Sequence, residues 1–142
     1  MANRIKNHRR RGLSTLEMAI VAPLLLFLVY GVIEYSWMFL KASDISSAAR
    51  EGVRYAVRPA VTSTSQIKGP DSPLVAVLTQ AGIPLELVSV TCPADRSPGV
   101  QSGSPVTVHV SVPWDSVKIL GFVPGPSSGN LQATVTMLKE GY

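Results

Sequence analysis

The sequence is poor in the residue types from which disulfide frameworks and metal centres are built. It contains one cysteine, Cys92, and two histidines, His8 and His109, which lie far apart in unrelated contexts. A lone cysteine cannot form an intramolecular disulfide, and it cannot hold a metal ion without partners. The sequence also lacks a Cys-x-x-Cys pair, an HExxH pair, a P-loop and a GxGxxG turn, each of which would indicate a known type of site. We therefore expect no cofactor, no metal site and no enzymatic activity.

Acidic residues are absent from the first twelve positions, which hold five basic residues: Arg4, Lys6, Arg9, Arg10 and Arg11. The whole chain has 13 basic and 9 acidic residues, so the remainder carries eight basic against nine acidic residues. The basic excess is thus confined to one short segment, which argues against nucleic-acid binding. A basic cluster next to an apolar run instead indicates membrane topology, with the basic flank in the cytoplasm.

Charged residues are nearly absent from residues 18–40, MAIVAPLLLFLVYGVIEYSWMFL, in which Glu34 is the only one. As a helix this run would be roughly 34 Å long, enough to cross a hydrocarbon core of about 30 Å. Three interpretations are open: a cleaved secretory signal peptide, a simple signal anchor, or a helix of the prepilin type. The first is disfavoured because the run is too long and Lys41-Ala42-Ser43 is a poor cleavage site.

A glycine and a glutamate stand at the start of the apolar run with a specific spacing. Gly12 is followed after four residues by Glu17, in RRRG-LSTL-E-MAIVAP. This arrangement resembles the class III signal of type IV prepilins and pseudopilins. The resemblance implies that a prepilin peptidase cuts between Gly12 and Leu13, which makes Glu17 the fifth residue of the mature chain. Glu17 alone is equally explained as a carboxylate at a helix N-terminus, where it also completes a capping box with Ser14.

The same resemblance predicts a role for Glu17 in assembly. Once the basic leader is removed, the apolar helix can leave the bilayer sideways and pack into a filament. A carboxylate buried there needs a cationic partner, because an unpaired buried charge would cost several kcal/mol. The freed α-amino group of a neighbouring subunit can supply that charge. Glu17 is therefore expected to set the register of one helix against the next.

The segment after the apolar run continues as an amphipathic helix. In residues 43–57, SDISSAAREGVRYAV, apolar side chains recur every three to four residues, and Pro59 ends the pattern. Together, the two segments resemble the TadE-like family of minor pilins or pseudopilins of the tight-adherence (Flp-type) pilus machinery. The matching residues are Glu17, Pro23, Gly31, Glu34, Ala49, Arg50, Glu51, Gly52 and Arg54. Met18 stands where Flp-type major pilins typically have Tyr, and the chain is longer than theirs, so the resemblance favours a minor component.

Glu34 has two interpretations. It lies seventeen residues after Glu17, toward the far end of the apolar run. It is either solvated at the membrane interface or a polar contact that faces partner helices, since ionisable residues within membranes are usually functional. The sequence leaves both open.

The rest of the chain predicts a small α+β domain. Residues 59–70 are rich in Ser, Thr, Pro and Gly and indicate a linker. A short helix follows, with Asp71 or Ser72 as its N-cap, Pro73 as its first helical position and Gly82 as its stop. Strands are predicted over residues 85–92, 106–112 and 131–139. The middle strand alternates strictly, with its valines on one face and His109 on the other, solvated face. The predicted fold is a long N-terminal helix, transmembrane in its first half and amphipathic in its second, followed by a short helix and a three-stranded antiparallel sheet.

These expectations give a complete domain organisation. Residues 1–12 form a basic cytoplasmic leader, residues 13–58 the N-terminal helix with a transmembrane part at about 18–40, residues 59–70 a linker and residues 71–142 a periplasmic domain. By resemblance, the chain is a minor pilin or pseudopilin of the bacterial inner membrane. Its expected partners are a prepilin peptidase, other pilins, the assembly machinery and lipid, but not nucleic acid. The alternatives are a tethered periplasmic ligand-binding or enzymatic domain and a type II secretion pseudopilin.

Overall fold

The computed structural model describes residues 7–119, 121 and 129–141 of the chain, with side chains from residue 15 onward. The predicted α+β layout is confirmed. Three α-helices and three strands occur in the described part: α1 (Asn7–Ala56), α2 (Thr64–Ile67), α3 (Pro73–Gln80), β1 (Ser89–Thr91), β2 (Pro105–Pro113) and β3 (Asn130–Leu138). Single 3-10 turns lie between them at Leu85–Leu87, Ala94–Arg96 and Trp114–Ser116.

Helix α1 is one continuous element of 50 residues, and it includes Pro23. Its two halves have different surroundings. From Thr15 to Ile33 almost every side chain is exposed, including the large apolar ones. From Glu34 to Ala56 one face of the helix is covered by the rest of the chain. The helix therefore ends in a packed domain, whereas its residues 15–33 form an exposed apolar segment that no other described part of the chain buries.

The covered face of α1 consists mostly of small side chains. Ile45, Ala48, Ala49, Val53 and Ala56 are fully buried, at the three-to-four-residue spacing predicted from the sequence. Gly52 belongs to the same face, and a Cβ atom added there would lie 2.6 Å from Cδ1 of Leu74 in α3. These small residues let α3 and the sheet approach the helix axis closely.

Residues 59–70, interpreted from their composition as a linker, carry the single turn of α2. Val61 and Ile67 from this segment are buried, and Ile67 belongs to the hydrophobic core. Helix α3 follows, and its start and stop residues are among those predicted. Ser72 is the N-cap residue, Pro73 is the first helical position, and Gly82 takes a positive φ of 67° just after the end. Its Leu74 and Leu78 pack into the core.

The sheet is antiparallel throughout, in the order β1-β2-β3. The four valines of β2 predicted to share a face, at positions 106, 108, 110 and 112, are all buried, and they belong to the core cluster that includes the small residues of α1. Across the strand pair they face Met137, Val135, Ala133 and Leu131 of β3. One face of the sheet therefore closes the core, while the other carries mostly hydroxyl side chains.

Two details of the sheet differ from the sequence expectations. The strand predicted over residues 85–92 is reduced to Ser89–Thr91, because the N–H of Leu87 turns back to donate to the carbonyl of Pro84. His109, expected on a solvated face, is only half exposed, and its Nδ1 lies 2.6 Å from Oγ1 of Thr134 on β3. Cross-strand side-chain pairs of this kind stabilise antiparallel sheets.

The sheet has two ends that can be told apart by their distance from the apolar half of α1. The near end is the end of the sheet at which β1 begins, β2 finishes and β3 begins. It is the end closer to the apolar half of α1, because the turn after β2 contacts the helix at Trp37. We call far end the opposite one, where β3 finishes and the N–H of Glu140 donates to the carbonyl of Val57. The strands thus lie alongside the second half of α1.

Candidate functional site

The residues singled out from the sequence do not form one cluster. Gly12 and Leu13 lie in the part of α1 for which the structure describes the backbone only. Glu17 is exposed on the same helix. Glu34 is buried, with 1% of its surface exposed. Seventeen residues of helix separate the two glutamates, roughly 25 Å along the axis. The chain therefore has two separate candidate regions, the exposed part of α1 around Glu17 and the buried Glu34.

The exposed half of α1 is long and apolar enough to cross a membrane. Within Thr15–Ala56, none of the most apolar stretch of 18 residues is buried. Soluble monomers rarely expose continuous apolar patches larger than a few hundred Å². The helix is therefore consistent with a single-pass membrane anchor. The large apolar side chains that it exposes include Leu16, Met18, Ile20, Leu24, Leu25, Leu26, Phe27, Leu28, Val32 and Ile33.

Glu34 is the first position of α1 that the domain covers. The backbone N–H of Gly121, in the segment between β2 and β3, donates a 2.7 Å hydrogen bond to its Oε1. A carboxylate that leaves water needs such donors, because burying an ionised group without hydrogen bonds is strongly unfavourable. Hydrogen bonds to an ionised acceptor are also about twice as strong as neutral ones. The intramolecular contact accounts for an acidic residue within the apolar run, while contact with partner helices stays a prediction.

Two further side chains of α1 bind the near end of the domain. The indole Nε1 of Trp37 donates to the carbonyl of Val117 at 2.7 Å. The ammonium of Lys41 donates to the carbonyl of Ala81, just after α3, and lies 4.6 Å from the centroid of the Trp37 ring. Together with Glu34 they are spaced three and four residues apart, so all three lie on one face of the helix. Sequence reasoning missed Trp37 and Lys41 as contacts, although this spacing was the available signal.

At the far end of the sheet, a buried lysine forms hydrogen bonds with two loops. Lys139 follows β3 and is 8% exposed. Its ammonium donates to the carbonyl of Val61, at 2.8 Å, and to the carbonyl of Pro98. The ammonium thus ties β3 to two loops, while the backbone of Glu140 ties it to the end of α1 at Val57. The domain is held on the helix by polar contacts at both ends, with the apolar core between them.

The described residues contain no group of three or more His, Cys, Asp or Glu side chains that could hold a metal ion. Cys92 is half-buried, and burial raises the pKa of its thiol, while a hydrogen bond with Thr64 opposes that rise. A raised pKa lowers the thiolate fraction at neutral pH and therefore lowers nucleophilicity.

Comparison with known proteins bears on the helix alone. The family model described as TadE-like protein matches residues 12–54. Neither a curated protein nor a solved structure matches the chain. The matched segment contains Gly12, both glutamates, and the Trp37 and Lys41 contacts, and it ends before α1 does. The resemblance predicted from the residues is thereby confirmed over residues 12–54, across which the chain is similar to the TadE-like family.

Proposed function

We propose that this chain is a membrane-anchored minor pilin or pseudopilin that supports assembly of a tight-adherence (Flp-type) pilus. The match of residues 12–54 to the TadE-like family is the observation that carries the proposal. The exposed apolar half of α1 agrees with it, because that surface suits lipid before assembly and other apolar helices afterwards. The chain would act by packing against partners rather than by catalysis.

The proposal includes processing by a prepilin peptidase between Gly12 and Leu13. The basic residues at positions 4, 6 and 9–11 precede this bond, and no acidic residue does. They would hold the N-terminus in the cytoplasm, leaving the domain on the other side of the bacterial inner membrane. Cutting there would remove the positive charge and leave the apolar helix intact.

Glu17 would then take part in assembly. Its exposure in the single chain leaves it available to a neighbouring subunit. In an apolar helix bundle the carboxylate would pair with the new α-amino group of that neighbour, and this pairing would fix the register of the two helices. A charge at this depth without a partner would be unfavourable by several kcal/mol.

Mass spectrometry of the mature N-terminus tests the proposal. We expect the chain isolated from membranes of cells with the peptidase to begin at Leu13. Gly12→Asp should abolish the cut and leave the full-length chain in the membrane. Gly31→Ala is the matched control, since it changes a glycine of the same helix with no atom within 4 Å of the new Cβ atom, and its processing should be normal. A mature chain that keeps Met1, or that begins after residue 40, would show a simple anchor or a secretory signal instead.

A further inference from the structure

Large exposed apolar side chains are rare in the described part of the domain. Apart from those of α1, they are Leu85, Leu87, Ile119 and Leu138. Leu138 is the last residue of β3 and lies at the far end. The other three belong to the segments that flank the near end, beside the points at which Lys41 and Trp37 contact the domain.

The strand order explains this placement. The turn Leu85–Leu87 leads into β1, whose first residue, Ser89, pairs with Ser111 close to the finish of β2. Ile119 follows the turn Trp114–Ser116, which comes directly after β2. Both segments therefore emerge from the same end of the antiparallel sheet. The three exposed apolar residues therefore belong to segments at the near end, the end of the sheet closer to the exposed apolar half of α1.

The length of the exposed part of α1 puts the near end of the domain where the hydrocarbon core of a membrane would end. From Thr15 to Ile33 the helix is uncovered, a length of about 28 Å, which matches a hydrocarbon core of about 30 Å. In the described part of the structure, the next residue, Glu34, is the first buried side chain of α1, and it accepts a hydrogen bond from Gly121 of the domain. Beyond Glu34 the helix also exposes Tyr35, Phe39 and Leu40, and tyrosine is enriched in the layer between hydrocarbon and water.

The charges at the near end do not favour an anionic surface. Lys41 is engaged with the carbonyl of Ala81, and Lys118 is paired with Asp115 at 2.7 Å. Glu86, between the two exposed leucines, is exposed as well. The described near end therefore has no excess of cations, and its attraction to a bilayer would come from apolar area rather than from charge.

We propose that the near end of the domain rests in the interfacial layer of the bilayer, with Ile119 and Leu85 in contact with lipid. The inference depends on the membrane anchor of the proposed function, but not on processing or pilus assembly. Lipid is the occupant that the structure favours, because the same end carries the helix that enters the membrane. The domain would then stand on the membrane surface with the far end pointing away from it.

Nitroxide labels in the full chain test this contact. In a Cys92→Ser background, single cysteines replace Ile119, Leu85, Leu138 or Leu28, and each labelled chain is placed in phosphatidylcholine nanodiscs at one chain per disc. Collision rates with oxygen, which concentrates in lipid, are compared with those of a water-soluble nickel chelate. We expect the oxygen-to-nickel ratio at 119 and 85 to be severalfold above that at 138, with or without added phosphatidylglycerol.

The other two labels make each outcome decisive. Leu138 is a matched control, because it is exposed and apolar but lies at the far end. Ratios at 119 and 85 equal to that at 138 would overturn the interfacial contact while leaving the anchor in place. A ratio that rises only with anionic lipid would overturn the apolar basis of the contact. Leu28 is in the middle of the uncovered helix, so a water-exposed label there would overturn the anchor and this inference together.

Discussion

The N–H of Gly121 donates to a carboxylate oxygen of Glu34, 87 residues earlier in the chain, and the bond is 2.7 Å long. It joins the segment after β2 to the first covered position of α1. Glu34 lies within the most apolar stretch of the sequence, so its carboxyl group accepts this bond where the domain meets the exposed apolar half of α1.

Replacing Glu34 should weaken the contact between α1 and the segment after β2. In Glu34→Ala the Gly121 amide loses its carboxyl acceptor, and such a hydrogen bond is worth about 0.5–1.5 kcal/mol, or about 1.5–3 kcal/mol where the acceptor is ionised. We expect amide hydrogen exchange at Gly121 to accelerate by about tenfold or more, since tenfold corresponds to about 1.4 kcal/mol. Glu34→Gln retains an acceptor oxygen and should have a smaller effect. Glu17→Ala, on the exposed part of the same helix, should leave exchange at Gly121 unchanged; equal acceleration in both alanine variants would contradict the assignment.

Gly52 should be intolerant of larger side chains. Its missing Cβ atom would lie 2.6 Å from Cδ1 of Leu74, which is 1% exposed and cannot move freely. We expect Gly52→Leu to lower the free energy of unfolding by about 3 kcal/mol, the upper range for overpacked cores. Gly52→Ala should cost less, because alanine gains about 1 kcal/mol of helix propensity over glycine.

Thermal unfolding of the full chain in nanodiscs would measure these changes. Gly31→Ala serves as the comparison, because nothing lies within 4 Å of the added Cβ atom. Its unfolding temperature should be no lower than that of the original chain. Tolerance of leucine at position 52 would mean that α1 and α3 are not packed as closely as described.

Lys139 should contribute to stability although it pairs with no carboxylate in the described structure. Lys139→Met keeps much of the apolar stem but leaves the carbonyls of Val61 and Pro98 without this donor. Leaving buried acceptors unsatisfied costs about 1–3 kcal/mol each, so we expect a clear loss in urea unfolding. Lys118→Met removes an exposed lysine paired with Asp115 and should change stability by less than about 0.5 kcal/mol. Similar losses in the two variants would argue against a specific role for the buried ammonium.

Cys92 should react slowly with alkylating reagents. Burial raises the pKa of its thiol, and thiolate is the reactive form. The rate of carboxamidomethylation of the folded chain should therefore rise at a higher pH than it does for the same chain in denaturant. Thr64→Val removes the hydrogen bond that lowers this pKa, so the profile should move further upward. A profile at lower pH in the valine variant would reverse the assigned direction.

Periodicity in the sequence correctly predicted which faces of α1 and β2 are buried. The alternating valines of β2 and the small residues of α1 around Ala48 are both buried as predicted, because a regular element must turn its apolar face toward the core. Local chemistry alone also predicted Gly82 as the end of α3 and narrowed its N-cap to Asp71 or Ser72, of which Ser72 is the one observed.

Contacts between distant parts of the chain could not be predicted in this way. Nothing near Glu34 in the sequence indicates Gly121 as its donor, and nothing near Lys139 indicates the carbonyl of Val61. Composition likewise suggested a linker at residues 59–70, but Ile67 of that segment lies in the core. A short apolar run also suggested strand over residues 85–92, where the turn after Pro84 leaves only Ser89–Thr91. The contacts of Glu34, Lys139 and Ile67 depend on tertiary packing, whereas the turn after Pro84 is a local hydrogen bond that the apolar pattern did not indicate.

The parallel course of β3 and the second half of α1 has a mechanical consequence. Strand β3 begins beside the turn at Trp114 and finishes where Glu140 meets Val57. A force along the helix axis would therefore act on the whole row of helix–strand contacts in shear. The contacts would share the tension simultaneously instead of peeling apart in succession. A pull on the exposed apolar half of α1 would therefore draw the domain along with it.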